Sequence, residues 1–263
     1  MLEPGRVELC VRTIGKHHPL WKQLRRLRDP AARRQEGMFL VEGIRILEEA
    51  VRADLRVELL LVAEGLEELQ PVRDLATRGT ELIGASQESL DRLGPAVTSQ
   101  GLLGVARIPR PTLSVGKRAL LLDGVSDPGN LGTLIRCAWA AGASGVLLHG
   151  GADPYHPKVV RASAGGLFYV PIVEIEAGDL RELADEGLTL VAAVAHGGQD
   201  PYQAALPPRT LLLLGSEAHG VGQEIASLAR IQVTIPLEPG CDSLNVAVTG
   251  ALLLFEHRRQ HGP

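Results

Sequence analysis

The sequence predicts an α/β protein whose C-terminal half is built on a parallel sheet and whose N-terminal half is a smaller α/β domain. Three observations carry this. Ala119 to Asp123 and Thr210 to Gly215 are almost wholly apolar, as strands covered on both faces must be. Each leads into a polar loop and then a helical pattern, the alternation that builds parallel sheets. Between the halves the punctuation changes: Pro109-Arg110-Pro111-Thr112 and the polar stretch to Lys117 read as a linker. The expected division is residues 1–108, a linker 109–117, and residues 118–263.

The elements follow from periodicity and breakers. Leu20 to Gln35 can form one basic helix. Met38 to Glu42 reads as a strand, Ile44 to Ala53 as an amphipathic helix and Val57 to Ala63 as a buried strand. Gly65 to Arg78 reads as helix, Thr80 to Ala85 as strand, Gln87 to Leu93 as a short helix and Gly101 to Ile108 as strand. After the linker and the strand from Ala119, a helix runs from about Leu131 to Ala141, with a strand from Gly145 to His149. A helix near Pro157 to Ala164, a strand from Tyr169 to Ile175 and a helix from Leu180 to Glu186 come next. Strands Thr189 to Ala195 and Thr210 to Gly215 and a helix Gln223 to Ala229 precede the closing segment. There Ile231 to Leu237 is a β-branched run, Pro239-Gly240 breaks it, and Asp242-Ser243 can N-cap a final helix, which puts Asn245 in its first turn.

The chain has 263 residues and 45% apolar content, comfortable for two ordinary cores. Its longest apolar runs fall far short of the ~18–20 residues a spanning helix needs, and no apolar signal region opens the chain. Cys10, Cys137 and Cys241 are isolated, and the eight histidines show no ligand spacing. These features point to a cytoplasmic protein with neither a membrane segment nor a metal. The net charge of −4 hides an asymmetry: Arg12, Lys16, Lys22, Arg25, Arg26, Arg28, Arg33 and Arg34 cluster with Asp29 as the one acidic residue among them. Such a block suits a phosphate-bearing partner, although a solvated helix face has the same composition.

In an open parallel sheet, ligands dock at the carboxyl ends of the strands. Three polar loops are expected there: Asp123 to Asn130, Gly215 to Gly222 and Glu238 to Asn245. The first resembles a dinucleotide fingerprint but offers G-x-x-G, without the glycine that lets a pyrophosphate approach. The second is GSEAHG, which is not a hydrolase nucleophile elbow. Five polar residues remain with no ordinary structural role, namely Asn130, Arg136, Glu217, Ser243 and Asn245. Arg136 interrupts an apolar helical stretch, and its plain alternative is an arginine snorkelling out of a packed helix.

The stretches LLLDGVSDPGNLGTLIRCAWAAGA (120–143), LLLLGSEAHGVG (211–222) and IPLEPGCDSLNVAVTGA (235–251) resemble the three motifs of the SpoU/TrmH family of RNA ribose 2′-O-methyltransferases, in the SPOUT superfamily. FLVEGIRILEEA (39–50) and QGLLGV (100–105) resemble the family's substrate-binding domain. The resemblance implies a deep trefoil knot in the C-terminal domain, one of the few exceptions to unknotted topology. It implies S-adenosylmethionine held by backbone groups at Gly215, Ile235 and Leu244, with Leu237 and the loop from Ala192 to Gly197, Ala193 and Gly197 in particular, close by. It also implies a catalytic and substrate set of Asn130, Arg136, Glu217, Ser243 and Asn245, a homodimer, and RNA as substrate, ribosomal RNA before transfer RNA. RASAGG (161–166) looks like a family segment near the active site, and Arg25, Arg26, Arg33 and Arg161 are the expected RNA contacts. The competing function is a non-catalytic RNA-binding or ribosome-assembly protein that keeps the fold; it would be signalled by loss of Arg136 or Asn245, and both are present.

Overall fold

The structure, a computed structural model, describes residues 12–14, 18–94, 99–111, 116–185 and 187–262. Cys10, Lys16, His17 and linker residues 112–115 lie outside these. The chain forms two compact units, one running to Pro109 and including Tyr155–Arg161, the other comprising Arg110–Pro154 and Ala162 onward.

The first unit contains β1 (Arg12–Thr13), α1 (Pro19–Arg26), α2 (Pro30–Glu36), β2 (Met38–Glu42), α3 (Ile44–Arg52), β3 (Val57–Ala63), α4 (Gln70–Thr77), β4 (Glu81–Ala85), α5 (Gln87–Leu93) and β5 (Leu102–Arg107). Its sheet has the order β1-β4-β3-β5-β2, with β5 antiparallel to both β3 and β2. Trp21, Leu24 and Leu27 from the helical segment pack with Leu59, Leu61 and Ile83 of the sheet and with Leu90 and Leu93 of α5.

The second unit contains β6 (Arg118–Asp123), α6 (Pro128–Ala141), β7 (Val146–His149), β8 (Ile172–Glu174), α8 (Asp179–Asp185), β9 (Thr189–Ala193), β10 (Thr210–Gly215), α9 (Gln223–Ala226), β11 (Ile231–Val233) and α10 (Val246–His261); α7 (Pro157–Ala162) falls between β7 and β8. All of its pairings are parallel, in the order β11-β9-β10-β6-β7-β8. From β6 the chain steps outward through β7 and β8, then returns on the other side of β6. The switch of direction therefore lies between β6 and β10, where the carboxyl ends of an open parallel sheet leave a crevice.

Several elements differ from expectation, each for a local reason. The basic helix is two helices, because Asp29 caps α2 by accepting from Ala31 N, and Pro30 cannot continue α1. Helix α4 starts at Gln70, since Pro71 favours the first turn and opposes extension upstream. Strand β8 is only three residues, preceded by a 3₁₀ turn at Gly166–Phe168. Strand β11 stops at Val233, and the cap of α10 is Asn245 rather than Asp242-Ser243: its Oδ1 accepts from Ala247 N at 2.8 Å and Val248 N at 3.3 Å.

At the amino end of the second sheet, Arg118 is buried (1% exposed) and every nitrogen is used. Nε donates to His257 Nδ1 at 3.1 Å, Nη1 to Ala141 O at 2.7 Å and Nη2 to Gly262 O. The His257 Nε2–H in turn donates to Pro207 O at 2.9 Å, and His261 Nε2 bonds Leu206 O at 2.7 Å. This network anchors the end of α10 against β6 and the β9–β10 connection. No helix among the described residues is long and apolar enough to cross a membrane.

Candidate active site

The three polar loops meet at the carboxyl edge of the parallel sheet. Asp127 caps α6 by accepting from Asn130 N at 2.8 Å, fixing Asn130 one turn into the helix. Asn130 then joins the other two loops: its Nδ2 donates to Glu217 Oε1 at 2.5 Å, and its Oδ1 accepts from Asn245 Nδ2 at 2.9 Å. One side chain from each motif thus forms a continuous amide–amide–carboxylate chain. Asn245 acts twice, capping α10 with its oxygen and gripping Asn130 with its nitrogen. Helix α10 reaches this position because Gly250 lets it approach α6 and β10; a Cβ there would lie 2.3 Å from Leu134 Cδ2 and 2.7 Å from Leu214 Cδ1.

Arg136 and Ser243 are exposed and do not join this chain. Arg136 is carried on α6, where Gly166 packs closely on its backbone: a Cβ at Gly166 would meet Arg136 Cα at 3.2 Å. Its guanidinium makes no hydrogen bond or ion pair with the described residues. Glu217, a natural partner for it, is engaged by Asn130 instead.

Beside this chain lies a rim of open backbone. Strand β10 pairs with β9 only as far as Leu213 with Ala192, while on its other side it continues to Gly215 opposite Asp123. Half-buried Ile235, Leu237 and Leu244 leave their peptide groups without partners among the described residues. Gly215 has no room for a side chain, since a Cβ would fall 1.8 Å from the carbonyl carbon of Gly220. The loop after β9, which begins at Ala193 and contains Gly197 with φ +81°, is tied to the same rim: Gly198 N donates to Thr234 Oγ1 at 2.9 Å, and that hydroxyl donates to Val194 O at 3.1 Å. Unpaired donors and acceptors flanked by half-buried apolar side chains suit a ligand with a flat heterocycle and polar edges.

Residues 117–255 match the SpoU rRNA Methylase family, and residues 19–104 match the MRM3-like substrate binding domain. The chain belongs to the SpoU rRNA methylase family. Among its relatives is the 23S rRNA (guanosine(2553)-2′-O)-methyltransferase RlmP of Bacillus subtilis, 32% identical over 90% of this chain and 94% of that one. Another is a 23S rRNA (uridine(2479)-2′-O)-methyltransferase of Streptomyces viridochromogenes, 33% identical over 87% of this chain and 85% of that one. Among solved structures, an AdoMet-bound rRNA methyltransferase from Sinorhizobium meliloti superimposes with a TM-score of 0.86 at 29% identity, over 95% of this chain and 98% of that one. AviRb from Streptomyces viridochromogenes, in complex with AdoMet, gives 0.83 at 31% identity, over 92% and 98%.

In this SpoU-family chain the expected RNA contacts separate into two groups. Arg25, Arg26 and Arg161 are exposed. Arg25 lines a shallow cleft with Trp21, Glu88, Ser89, Arg92 and Leu93, and Arg26 lies 3.7 Å from Glu36. Arg33 is a correction: it is 1% exposed, and its Nη1 donates to Leu27 O at 2.7 Å and Arg28 O at 2.9 Å. It braces the turn between α1 and α2 and cannot reach a phosphate. Arg28 is occupied likewise, on the carbonyls of Arg92, Leu93 and Gly94.

Two residues of the site escaped the sequence reading. Asp123, the last residue of β6, accepts from Gly222 N through Oδ2 at 2.6 Å and contacts His149 Nδ1 through Oδ1 at 2.8 Å. A signal existed, because both end apolar strands and so fall on the carboxyl edge. Among the described residues no group of three or more His, Cys, Asp or Glu side chains is placed to hold a metal ion.

Proposed function

We infer that this protein is an S-adenosylmethionine-dependent RNA methyltransferase that methylates a ribose 2′-hydroxyl in ribosomal RNA. The observation that carries the reading is the Asn130–Glu217–Asn245 chain beside the open backbone rim, in a chain whose SpoU-family relatives include 23S rRNA 2′-O-methyltransferases and AdoMet-bound structures. Those relatives act on a guanosine and a uridine, so the shared chemistry is the ribose hydroxyl and not the base. That hydroxyl is also what distinguishes RNA from DNA.

Peptide groups at Gly215, Ile235, Leu237 and Leu244, with the loop containing Ala193 and Gly197, would hold the cofactor. When bound, it supplies an electrophilic methyl group on a sulfonium. The chain's own residues do the rest. Arg136, charged and uncommitted, stabilises negative charge that develops on the ribose oxygen and takes a backbone phosphate. A guanidinium remains protonated at neutral pH, so its role is electrostatic. Asn130 and Asn245 fix the walls of the site and Glu217 holds the second motif in place, while exposed Ser243 offers a hydroxyl to the substrate.

Residues 1–108 form the RNA-binding domain in this reading, 109–117 the linker and 118–263 the methyltransferase domain. The passage from β11 at the sheet edge back to α10, packed on α6 and β10, supports a trefoil knot. Val248, Leu252 and Phe255 form an exposed apolar stripe on α10, and on α6 Trp139 stacks on Tyr169 with centroids 4.5 Å apart; this surface suits a homodimer. The place of action is the compartment that holds ribosomal RNA, the cytoplasm. Incubation of tritiated S-adenosylmethionine with an unmodified 23S rRNA transcript tests the activity, with transfer RNA in parallel. Label should appear in the ribosomal transcript as a 2′-O-methylnucleoside; label in neither RNA would favour the assembly-protein alternative.

A further inference from the structure

The methyl transfer releases a proton, and neither Arg136 nor the amides can accept it. We propose that His149, held by Asp123, is the proton acceptor for the 2′-hydroxyl, a proposal that rests on the methyltransferase reading above.

Three features of the molecule carry it. First, position: Gly215, Asp123 and His149 are register neighbours across β10, β6 and β7, in one row at the carboxyl edge. With adjacent strands about 4.8 Å apart, the His149 backbone lies one strand from Asp123 and two from the rim glycine. The loop after β7 is also joined to the loop that leads into α6 and Asn130: Ala152 N donates to Val125 O at 2.9 Å, and a Cβ at Gly151 would lie 2.5 Å from that same oxygen.

Second, preparation: a carboxylate on Nδ1 selects the tautomer that leaves Nε2 with its lone pair, the orienting arrangement that general-base histidines use. The Asp123 side chain is 13% exposed and that of His149 34%, so the carboxylate is sheltered while the ring has an open edge. Nε2 has no partner among the described residues. Asp123 spends its other oxygen on Gly222 N, so one side chain fixes both the imidazole and the end of the loop that carries Glu217.

Third, elimination among neighbours. The charged groups on the surrounding elements are Asp127 at the N-cap of α6 and Arg136 on it, Asp153 after β7, Glu174 on β8 with Glu176 just after it, and Glu217 after β10; of these and Asp123, Asp123 is the one bonded to the ring. Glu217 already accepts from Asn130, and a carboxylate is a weaker base than imidazole. His196 and His219 also lie in loops at this edge and are exposed, but among the described residues neither has a carboxylate on its ring.

The step balances. The 2′-O–H bond breaks and its proton passes to His149 Nε2, directly or through one water. The oxygen's electron pair forms the bond to the methyl carbon, the carbon–sulfur bond breaks with its pair remaining on sulfur, and the imidazolium then returns its proton to solvent.

The test is the single-turnover rate of methylation of an unmodified 23S rRNA transcript between pH 6 and 9, with saturating S-adenosylmethionine. Wild type, His149→Ala, His149→Gln, His219→Ala and Arg136→Lys are compared, with cofactor affinity measured by calorimetry. Wild type should show a rate that rises with pH to a plateau. In His149→Ala the break should vanish and the plateau fall about 10²–10³-fold, within the range for a lost general base. Cofactor affinity should stay within about twofold, and added imidazole should restore part of the rate to His149→Ala but not to His149→Gln, whose side chain fills the space. Arg136→Lys should lower the rate without moving the break. A break that survives in His149→Ala, or one that vanishes in His219→Ala, overturns the assignment while leaving the methyltransferase reading intact. A wild type that methylates no RNA overturns both.

Discussion

The two ends of the parallel sheet use the same residue types in opposite ways. At the amino end Arg118 is buried and donates to His257, Ala141 and Gly262; on α6, the helix that starts at the carboxyl edge, Arg136 is exposed and donates to nothing in the described protein. His257 is enclosed between Arg118 and Pro207, whereas His149 is held on one nitrogen and open on the other. Where every polar group is matched internally, the arrangement contributes stability; where matching stops partway, the unmatched groups await a ligand. This contrast predicts which arginine serves stability and which serves a ligand, a division that charge and sequence position do not make.

It can be broken most forcefully at Arg136. Replacing it with alanine should lower the methylation rate by about two to three orders of magnitude, as for a lost oxyanion donor, with cofactor affinity unchanged. Arg136→Lys should recover part of the loss. The melting midpoint should move little, since no protein partner is stranded. A rate loss matched by a large fall in stability would make Arg136 structural after all.

Arg118→Met should behave in the reverse way. It leaves His257 Nδ1 and two carbonyls without a donor, a cost of about 3 kcal/mol in denaturant unfolding, while the rate per folded molecule is retained. The same network predicts sensitivity to acid. Burial pushes His257 down from 6.5 to about 4, opposed in part by its bond to Pro207 O; the charges of His261 and Arg118 push the same way as burial. Above pH 6.5 the imidazole is neutral in both folded and unfolded chains, and this contribution is fully present. As pH falls toward 4 the unfolded chain takes up the proton first, so stability should drop across that window by on the order of 2–3 kcal/mol. Unfolding midpoints measured from pH 7 to 4 should show the drop in wild type and a flatter profile in His257→Gln.

Much of this was legible in the sequence, for identifiable reasons. Strands β6 and β10 announce themselves because a strand buried on both faces must be apolar throughout. The set Asn130, Glu217 and Asn245 could be picked out because polar residues in the loops and helix starts that follow such strands have few structural uses. Asp123 and His149 were passed over because their partnership is across strands, set by register, which a linear reading does not contain. The Asn245 cap was misplaced by two residues because Asp242, Ser243 and Asn245 are all competent caps, and tertiary contact with Asn130 decides among them. Arg33 was misassigned because clustering on a basic helix says nothing about which face turns inward once Pro30 breaks that helix.

That last error leads to the smallest and most discriminating effect. The basic block contains arginines that are spent on carbonyls, Arg28 and Arg33, and arginines that are exposed, Arg25 and Arg26. Arg25 lines a cleft in which Arg92 is already paired with Glu88 at 2.8 Å, and its own guanidinium is the one offered to a phosphate there, whereas Arg26 is partly drawn to Glu36 at 3.7 Å. Removing one phosphate-binding side chain should flatten the log–log salt dependence of RNA binding by about 0.7–0.9. Arg25→Gln should therefore change the slope by about that amount and Arg26→Gln by less, with cofactor binding untouched in both. Arg33→Gln, by contrast, should lower the unfolding midpoint by removing a donor from Leu27 O and Arg28 O, and leave the slope of the molecules that remain folded unchanged. Salt titrations of RNA affinity for the three variants decide the matter: an equal change of slope in all three would mean that the block acts as diffuse charge, and the division into spent and available arginines would fail for the first domain.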